Sequence, residues 1–155
     1  MCARLPAPGT WGSLLGLIAF AALAWPGNYP LYLAGTVFLL GVSVPICTVA
    51  ERALGRKDPG SVVLDELVAM PLCFLGWVTD TWLATGRCSL EDLLAQPHAW
   101  WIVGTGFLVF RCLDIAKPWP IRAVQRLPGG WGVVLDDLLA ALGTAAVVLL
   151  LTKAL

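Results

Sequence analysis

Five apolar stretches, about Trp11 to Trp25, Leu31 to Ala50, Leu67 to Ala84, Trp100 to Leu113 and Val133 to Leu151, alternate with polar breaks such as Pro26-Gly27-Asn28 and Pro128-Gly129-Gly130. A helix needs roughly 20 apolar residues to cross the hydrocarbon of a bilayer. The second and last stretches meet that length. The first and fourth are short, and are expected to gain flanking turns, pack within the bundle or re-enter. The pattern predicts an all-α polytopic membrane bundle of about four to five apolar helices joined by polar loops. The first stretch follows Pro6, Pro8 and Gly9 and has no small-residue cleavage site after it, so a retained membrane helix is expected there rather than a signal peptide.

Composition narrows the class. Of 155 residues, 59% are hydrophobic and 13% charged, with a mean hydropathy of +0.82. A soluble domain needs about a quarter of its residues charged to cover its surface, so one membrane domain over residues 1–155 is the expected organisation. The formal net charge is zero, which gives no sign of a nucleic-acid partner. Cys2, Cys47, Cys73, Cys88 and Cys112 show no C-x-x-C pair or Cys/His ligand spacing, and read as small hydrophobes.

The charges are distributed unevenly. If all five stretches cross, the N-terminus, residues 51–66 and residues 114–132 share one face, with Arg4, Arg52, Arg56, Lys57, Arg111, Lys117, Arg122 and Arg126, whereas Arg87 and Lys153 fall opposite. By the positive-inside bias, the first face is expected in the cytoplasm. Tryptophans 11, 25, 77, 82, 100, 101, 119 and 131 lie mostly near the proposed span ends, where an amphipathic ring is favoured.

The acids follow the bases: Glu51, Asp58, Asp65, Glu66, Asp114, Asp136 and Asp137 fall on or just inside the same face, leaving Asp80, Glu91 and Asp92 elsewhere. Carboxylates gathered at a low-dielectric boundary repel one another and lose hydration. A divalent cation resolves that conflict, and magnesium suits oxygen ligands, waters and a substrate phosphate. Leu64-Asp65-Glu66-Leu67 and Leu135-Asp136-Asp137-Leu138 each set an acidic doublet at the start of an apolar helix. Adjacent helical residues diverge by about 100°, so each doublet offers one group inward and another to a neighbour. Complementing a helix dipole explains one such doublet; two on one face favour a metal site.

The segment Phe110 to Pro120 spaces Arg111, Asp114 and Lys117 one turn apart on one side of a helix end, with Pro118 stopping the helix. Arg111 suits two phosphate oxygens and Lys117 supplies a point charge; an i, i+3 ion pair with a snorkelling lysine is the structural alternative. Pro8-Gly9-Thr10-Trp11-Gly12-Ser13 brings hydroxyls and amides to the start of an apolar helix, an arrangement that suits an anion as well as ordinary capping. His98 lies in the opposite loop, so no histidine is placed for a phosphohistidine mechanism. The Cys-x5-Arg, D-x-D-x-T/V and D-G-x-x-A-R signatures are missing too. Attack by a metal-activated water is the chemistry that remains.

Taken together, PGTWGS, ALGRKDPGSVVLDEL, FRCLDIAKPWPI and GGWGVVLDDLLA, in this order from Pro8 to about Ala146, resemble the phosphatidylglycerophosphatase A family. The resemblance implies a small, all-helical, magnesium-dependent phosphatase of the bacterial inner (cytoplasmic) membrane, converting phosphatidylglycerophosphate to phosphatidylglycerol and inorganic phosphate. Position by position it implicates Asp58, Asp65 and Glu66, then Arg111, Asp114 and Lys117, then Asp136 and Asp137. Glu51 joins the candidate metal ligands on position and charge. Ala69 and Ala141 stand where the family pattern leads one to expect glycine, which bears on helix packing more than on chemistry.

On this reading Asp65, Glu66, Asp136 and Asp137, with Glu51, hold one or two magnesium ions, and one carboxylate orients or deprotonates the attacking water. Thr10, Ser13, Arg111 and Lys117 bind phosphate, with Asp58 and Asp114 in support. Two rival classes remain at this point: a small ion- or proton-coupled transporter, which predicts acids spread through the bilayer depth, and a non-catalytic assembly subunit in which the acids pair with Arg and Lys.

Overall fold

A computed structural model describes residues 7–56 and 62–155. These residues form α1 (Pro8–Ala24), α2 (Tyr29–Leu54), α3 (Leu64–Cys73), α4 (Leu75–Thr85), α5 (Leu90–Leu94), α6 (Ala99–Ala116), α7 (Ile121–Val124) and α8 (Gly130–Ala154). No strand occurs among the described residues. Arg4, Lys57, Asp58 and Cys2 lie outside them.

Four helical units are long and apolar enough to cross a membrane: α2, the continuous α3 and α4, α6 and α8. The fourth stretch gains its length from Ala99 and from Asp114 to Ala116, reaching 18 residues. α1 has 17 residues, about 26 Å at 1.5 Å per residue, slightly less than the hydrocarbon thickness. The protein is thus an all-α membrane bundle, and its lipid-facing surface is marked by exposed apolar side chains such as Phe38, Val49, Leu108 and Leu150.

Local chemistry sets the helix ends. Asn28 caps α2 through its side chain, which accepts from the Leu31 amide at 2.9 Å, and Gly55 ends the helix in the left-handed region. Ser89 and Asp92 make a reciprocal capping box on α5, and the Ser89 hydroxyl and amide hold the Asp92 carboxyl below its ordinary value. α3 breaks from α4 at Phe74, just after Pro71, whose missing N–H interrupts the ladder. The Tyr32 hydroxyl crosses from α2 to donate to the Pro71 carbonyl at this break.

The α3–α4 unit is the centre of the bundle. Phe20 of α1 packs on Phe74 with ring centroids 4.6 Å apart, and Trp77 and Tyr32 complete the aromatic group. Val68, Ala69, Met70 and Cys73 beside it are sealed from solvent. Ala69 and Ala141 are both fully buried, so these small residues permit close helix contacts.

Helix directions follow from the contacts. Gly9 lies by Glu66, Gly16 by Met70 and Phe20 by Phe74, so α1 and α3 run parallel. α6 and α8 run antiparallel, with Gly106 near Val148, Leu113 near Gly143 and Lys117 bonded to Asp136. The starts of α1, α3 and α8 and the ends of α2 and α6 therefore meet at one end of the bundle. The four cysteines among the described residues are free, three of them buried, as expected of small hydrophobes.

The α2–α8 crossing is the closest of these contacts. A Cβ on Gly130 would strike the Val44 carbonyl and approach the Thr48 amide at 2.8 Å, whereas one on Gly41 would meet nothing within 4 Å. Gly130→Ala is therefore expected to destabilise the protein by about 1–3 kcal/mol, while Gly41→Ala leaves it unchanged or slightly more stable. Unfolding of both variants in detergent, followed by circular dichroism, measures the contrast.

Candidate active site

The acidic doublets meet at the shared end. Asp65 and Glu66 stand in the first turn of α3, and Asp136 and Asp137 stand two turns into α8. Asp65, Glu66 and Asp137 each offer one carboxylate oxygen, and these oxygens lie within 4.8 Å of one another. Asp65 is 5% and Asp137 3% exposed, so the group sits inside the bundle rather than in free solvent. Glu66 Oε2 and Asp137 Oδ2 are buried and accept no hydrogen bond.

Two cations stand beside the group. Arg111 Nη1 donates to Asp114 Oδ2, approaches Ser13 Oγ at 3.4 Å and lies 3.9 Å from Glu66 Oε1. Its Nε is buried with no acceptor, so the guanidinium keeps one edge for a ligand. The Lys117 ammonium donates to Asp136 Oδ2 and lies 4.0 Å from Asp114 Oδ1. The Asp137 amide donates to Asp136 Oδ1 at 3.0 Å, so the carboxyl next to the trio is held from two sides.

Lys117 has φ 41°, in the left-handed region that side chains with a Cβ enter at a cost of roughly 1 kcal/mol. It ends α6 there, its amide donating to Leu113 O at 2.8 Å. Its ion pairs and the following Pro118 accompany that conformation. Gly9 and Gly12 have an equally specific role: a Cβ on Gly9 would collide with Glu66 Oε1 and Arg111, and one on Gly12 would stand 2.9 Å from Val63 O. Glycine in the first turns of α1 is what lets α1 lie against the acidic start of α3.

The sequence-derived candidates divide into those the fold unites and those it separates. Asp65, Glu66, Asp137, Arg111, Asp114 and Ser13 share the site. Asp136 is not one of the three grouped carboxylates, and its Oδ2 accepts from the Lys117 ammonium. Glu51 is not one of the three grouped carboxylates; it lines a cleft of about 340 Å³ with Arg52, Arg56 and Gly129 at the end of α2. Helix α1 starts at Pro8, so Thr10 and Ser13 lie inside it. The Thr10 amide donates to Ala7 O at 3.0 Å and the Ser13 hydroxyl to Gly9 O at 2.9 Å. Asp58 lies outside the described residues. Lys117 is bonded across to α8 rather than snorkelling, whereas the i, i+3 pair of Arg111 with Asp114 is present.

Thr48 escaped the sequence reading. Its hydroxyl donates to Val44 O at 2.8 Å and accepts from the Gly130 amide at 2.9 Å, fixing the start of the helix that carries Asp137. A threonine inside an apolar run carries no local mark of that role. The far end of the bundle holds Asp80 paired with Lys153 at 3.0 Å and Arg87 near Asp92. The acids thus concentrate at one end instead of being strung through the bilayer depth. Among the described residues, pairing with Arg111 and Lys117 accounts for Asp114 and Asp136, and Arg111, 3.9 Å from Glu66 of the trio, is also engaged by Asp114.

The donor set fits a hard divalent cation. Magnesium takes oxygen ligands, is held by few carboxylates and keeps several waters. Asp65, Glu66 and Asp137 supply such oxygens, and two of their buried atoms await a partner.

Comparison with known proteins adds an independent line. The chain matches the family described as Phosphatidylglycerophosphatase A over residues 2–152. It is 33% identical over 144 residues to the Phosphatidylglycerophosphatase A of Escherichia coli (strain K12), covering 90% of this chain and 71% of that protein. The protein of that name from Haemophilus influenzae is 32% identical, with 92% and 77% covered. A Bacteroides thetaiotaomicron relative named "Putative phosphatidylinositol-3-phosphatase" is 31% identical, with 86% and 76% covered. No solved structure matches.

Asp136 is 1% exposed, and replacing Lys117 removes a cation bonded to this buried carboxylate. Lys117→Met is expected to cost about 3 kcal/mol in detergent unfolding. Adding Asp136→Asn to it should restore most of that loss.

Proposed function

As the chain belongs to the phosphatidylglycerophosphatase A family, we propose that it is a magnesium-dependent lipid phosphatase that hydrolyses phosphatidylglycerophosphate to phosphatidylglycerol and inorganic phosphate. The observation that carries the chemistry is the convergence of Asp65, Glu66 and Asp137 beside Arg111, whose buried Nε has no acceptor. Those three carboxylates would hold the cation. When bound, magnesium supplies positive charge for the phosphate oxygens and makes a water more acidic.

The protein's own groups do the rest. Arg111, fixed by Asp114, binds the terminal phosphate through its free edge, a pairing whose strength comes from charge and geometry together. Ser13 keeps the guanidinium beside α1. One carboxylate of the trio accepts the proton of the attacking water as its oxygen bonds to phosphorus. The bond from phosphorus to the glycerol oxygen breaks, and that oxygen leaves as the alcohol of phosphatidylglycerol once protonated. Burial of the trio excludes bulk water and strengthens each of these contacts.

The lipid setting suits such a substrate. Acyl chains remain in the leaflet against the apolar faces of the bundle while the headgroup enters at the site end. Among the described residues, that end also carries Arg52, Arg56, Arg122 and Arg126, against Arg87 and Lys153 opposite. The imbalance supports a cytoplasmic site face, and with it a place in the bacterial inner membrane.

Purified protein in detergent should release phosphate from phosphatidylglycerophosphate with magnesium and stop with chelator; equal rates in both would remove the metal from the reaction. Asp65→Asn and Asp137→Asn should each lower kcat on the order of a thousandfold or more with helix content retained. Faster turnover of phosphatidylinositol 3-phosphate would reassign the substrate.

A further inference from the structure

The turn after α6 carries a second charged feature. Pro118 follows the left-handed Lys117, and the chain then lays the short α7 on the bundle by burying Ile121. Arg122 and Arg126, four residues apart, are exposed, and with Lys117 and Trp119 they line an open cleft of about 500 Å³. No acidic side chain lines it among the described residues, and neither arginine has an ion-pair partner there. Lys117 differs from them: its ammonium faces Asp136 and Asp114, so this residue is the wall shared by the cleft and the carboxylate site.

Trp119, in the same lining, is 85% exposed. An amphipathic ring beside unpaired guanidinium groups belongs at lipid headgroup level. A headgroup that enters the carboxylate site by its terminal phosphate carries a second phosphate, the phosphodiester, one glycerol away on the membrane side. Two guanidinium groups with unengaged donors match the paired oxygens of such a diester.

We propose that Arg122 and Arg126 bind the phosphodiester of the lipid headgroup while the terminal phosphate occupies the carboxylate site. The cleft then selects lipids with a phosphomonoester one short linker beyond a phosphodiester. The assignment rests on the proposed lipid phosphatase reaction. The ligand chemistry is a phosphodiester anion at the membrane surface, whose source is the substrate itself or a neighbouring anionic lipid.

The test is the Arg122→Gln/Arg126→Gln double variant of the full chain in neutral detergent, with phosphatidylglycerophosphate as the sole phospholipid. KM should rise about tenfold with kcat unchanged, the scale of losing one or more charge-assisted hydrogen bonds. Short-chain phosphatidylglycerol, which carries the diester alone, should inhibit the variant about tenfold more weakly than the unsubstituted protein, and inhibition by inorganic phosphate should not change. An unchanged KM overturns the proposal, as does equal weakening of both inhibitors. A defect that emerges only when another anionic lipid is mixed into the micelles also overturns it, and gives the cleft to neighbouring lipid. If the unsubstituted protein releases no phosphate, the reaction is misassigned; calorimetric titration of both proteins with short-chain phosphatidylglycerol still tests the cleft, and equal binding overturns it.

Discussion

Three carboxyl groups brought together inside a membrane bundle are the constraint on which the rest of the structure turns. Asp65 and Glu66 come from α3 and Asp137 from the last helix, α8, and their oxygens lie within 4.8 Å of one another. Like charges at that range, with little water to screen them, oppose the assembly of the bundle. The fold tolerates this only because neighbouring contacts fix α1, α3 and α8 at their shared end. Glycines 9 and 12 bring α1 against α3, and the Thr48 hydroxyl with Gly130 pins the start of α8 to α2.

The two site cations divide the work of compensation. Arg111 serves Asp114 and leans toward Glu66, while Lys117 serves Asp136 and reaches toward Asp114. Each is held by a carboxylate that is not in the trio. That separation leaves the trio grouped within 4.8 Å and the buried Arg111 Nε without an acceptor. Had Asp136 turned inward instead, the α6–α8 contact would lack the bond from Lys117 to Asp136.

Membrane embedding shapes the chemistry as much as the stability. Apolar side chains on α2, α6 and α8 are exposed, so in the proposed reaction a diacyl substrate need not leave the leaflet to present its headgroup. Basic side chains at the same end give that headgroup an electrostatic path inward. The polar machinery sits where helices end, which is also where a bilayer permits unsatisfied backbone groups and charges.

The sequence by itself determined the bundle, because hydrophobic length and its interruption by Gly, Pro and Asn depend on local composition alone. It also determined which end would be charged, since alternation of spans assigns loops to faces by counting. The acidic doublets, the Arg111-Asp114-Lys117 spacing and the ordered motifs of the family were legible in the same way. What tertiary structure decided was direction. Asp136 and Asp137 are neighbours in sequence, yet their side chains leave α8 about 100° apart, and only the position of α6 sends one to Lys117 and leaves the other with Asp65 and Glu66. Glu51 has the same charge and lies at the same end, and only the course of α2 sets which cleft it lines. Thr48 looked like part of an apolar run until Gly130 arrived beside it. Side-chain chemistry is written locally, whereas convergence depends on how separate helices rotate and cross, which no single segment specifies.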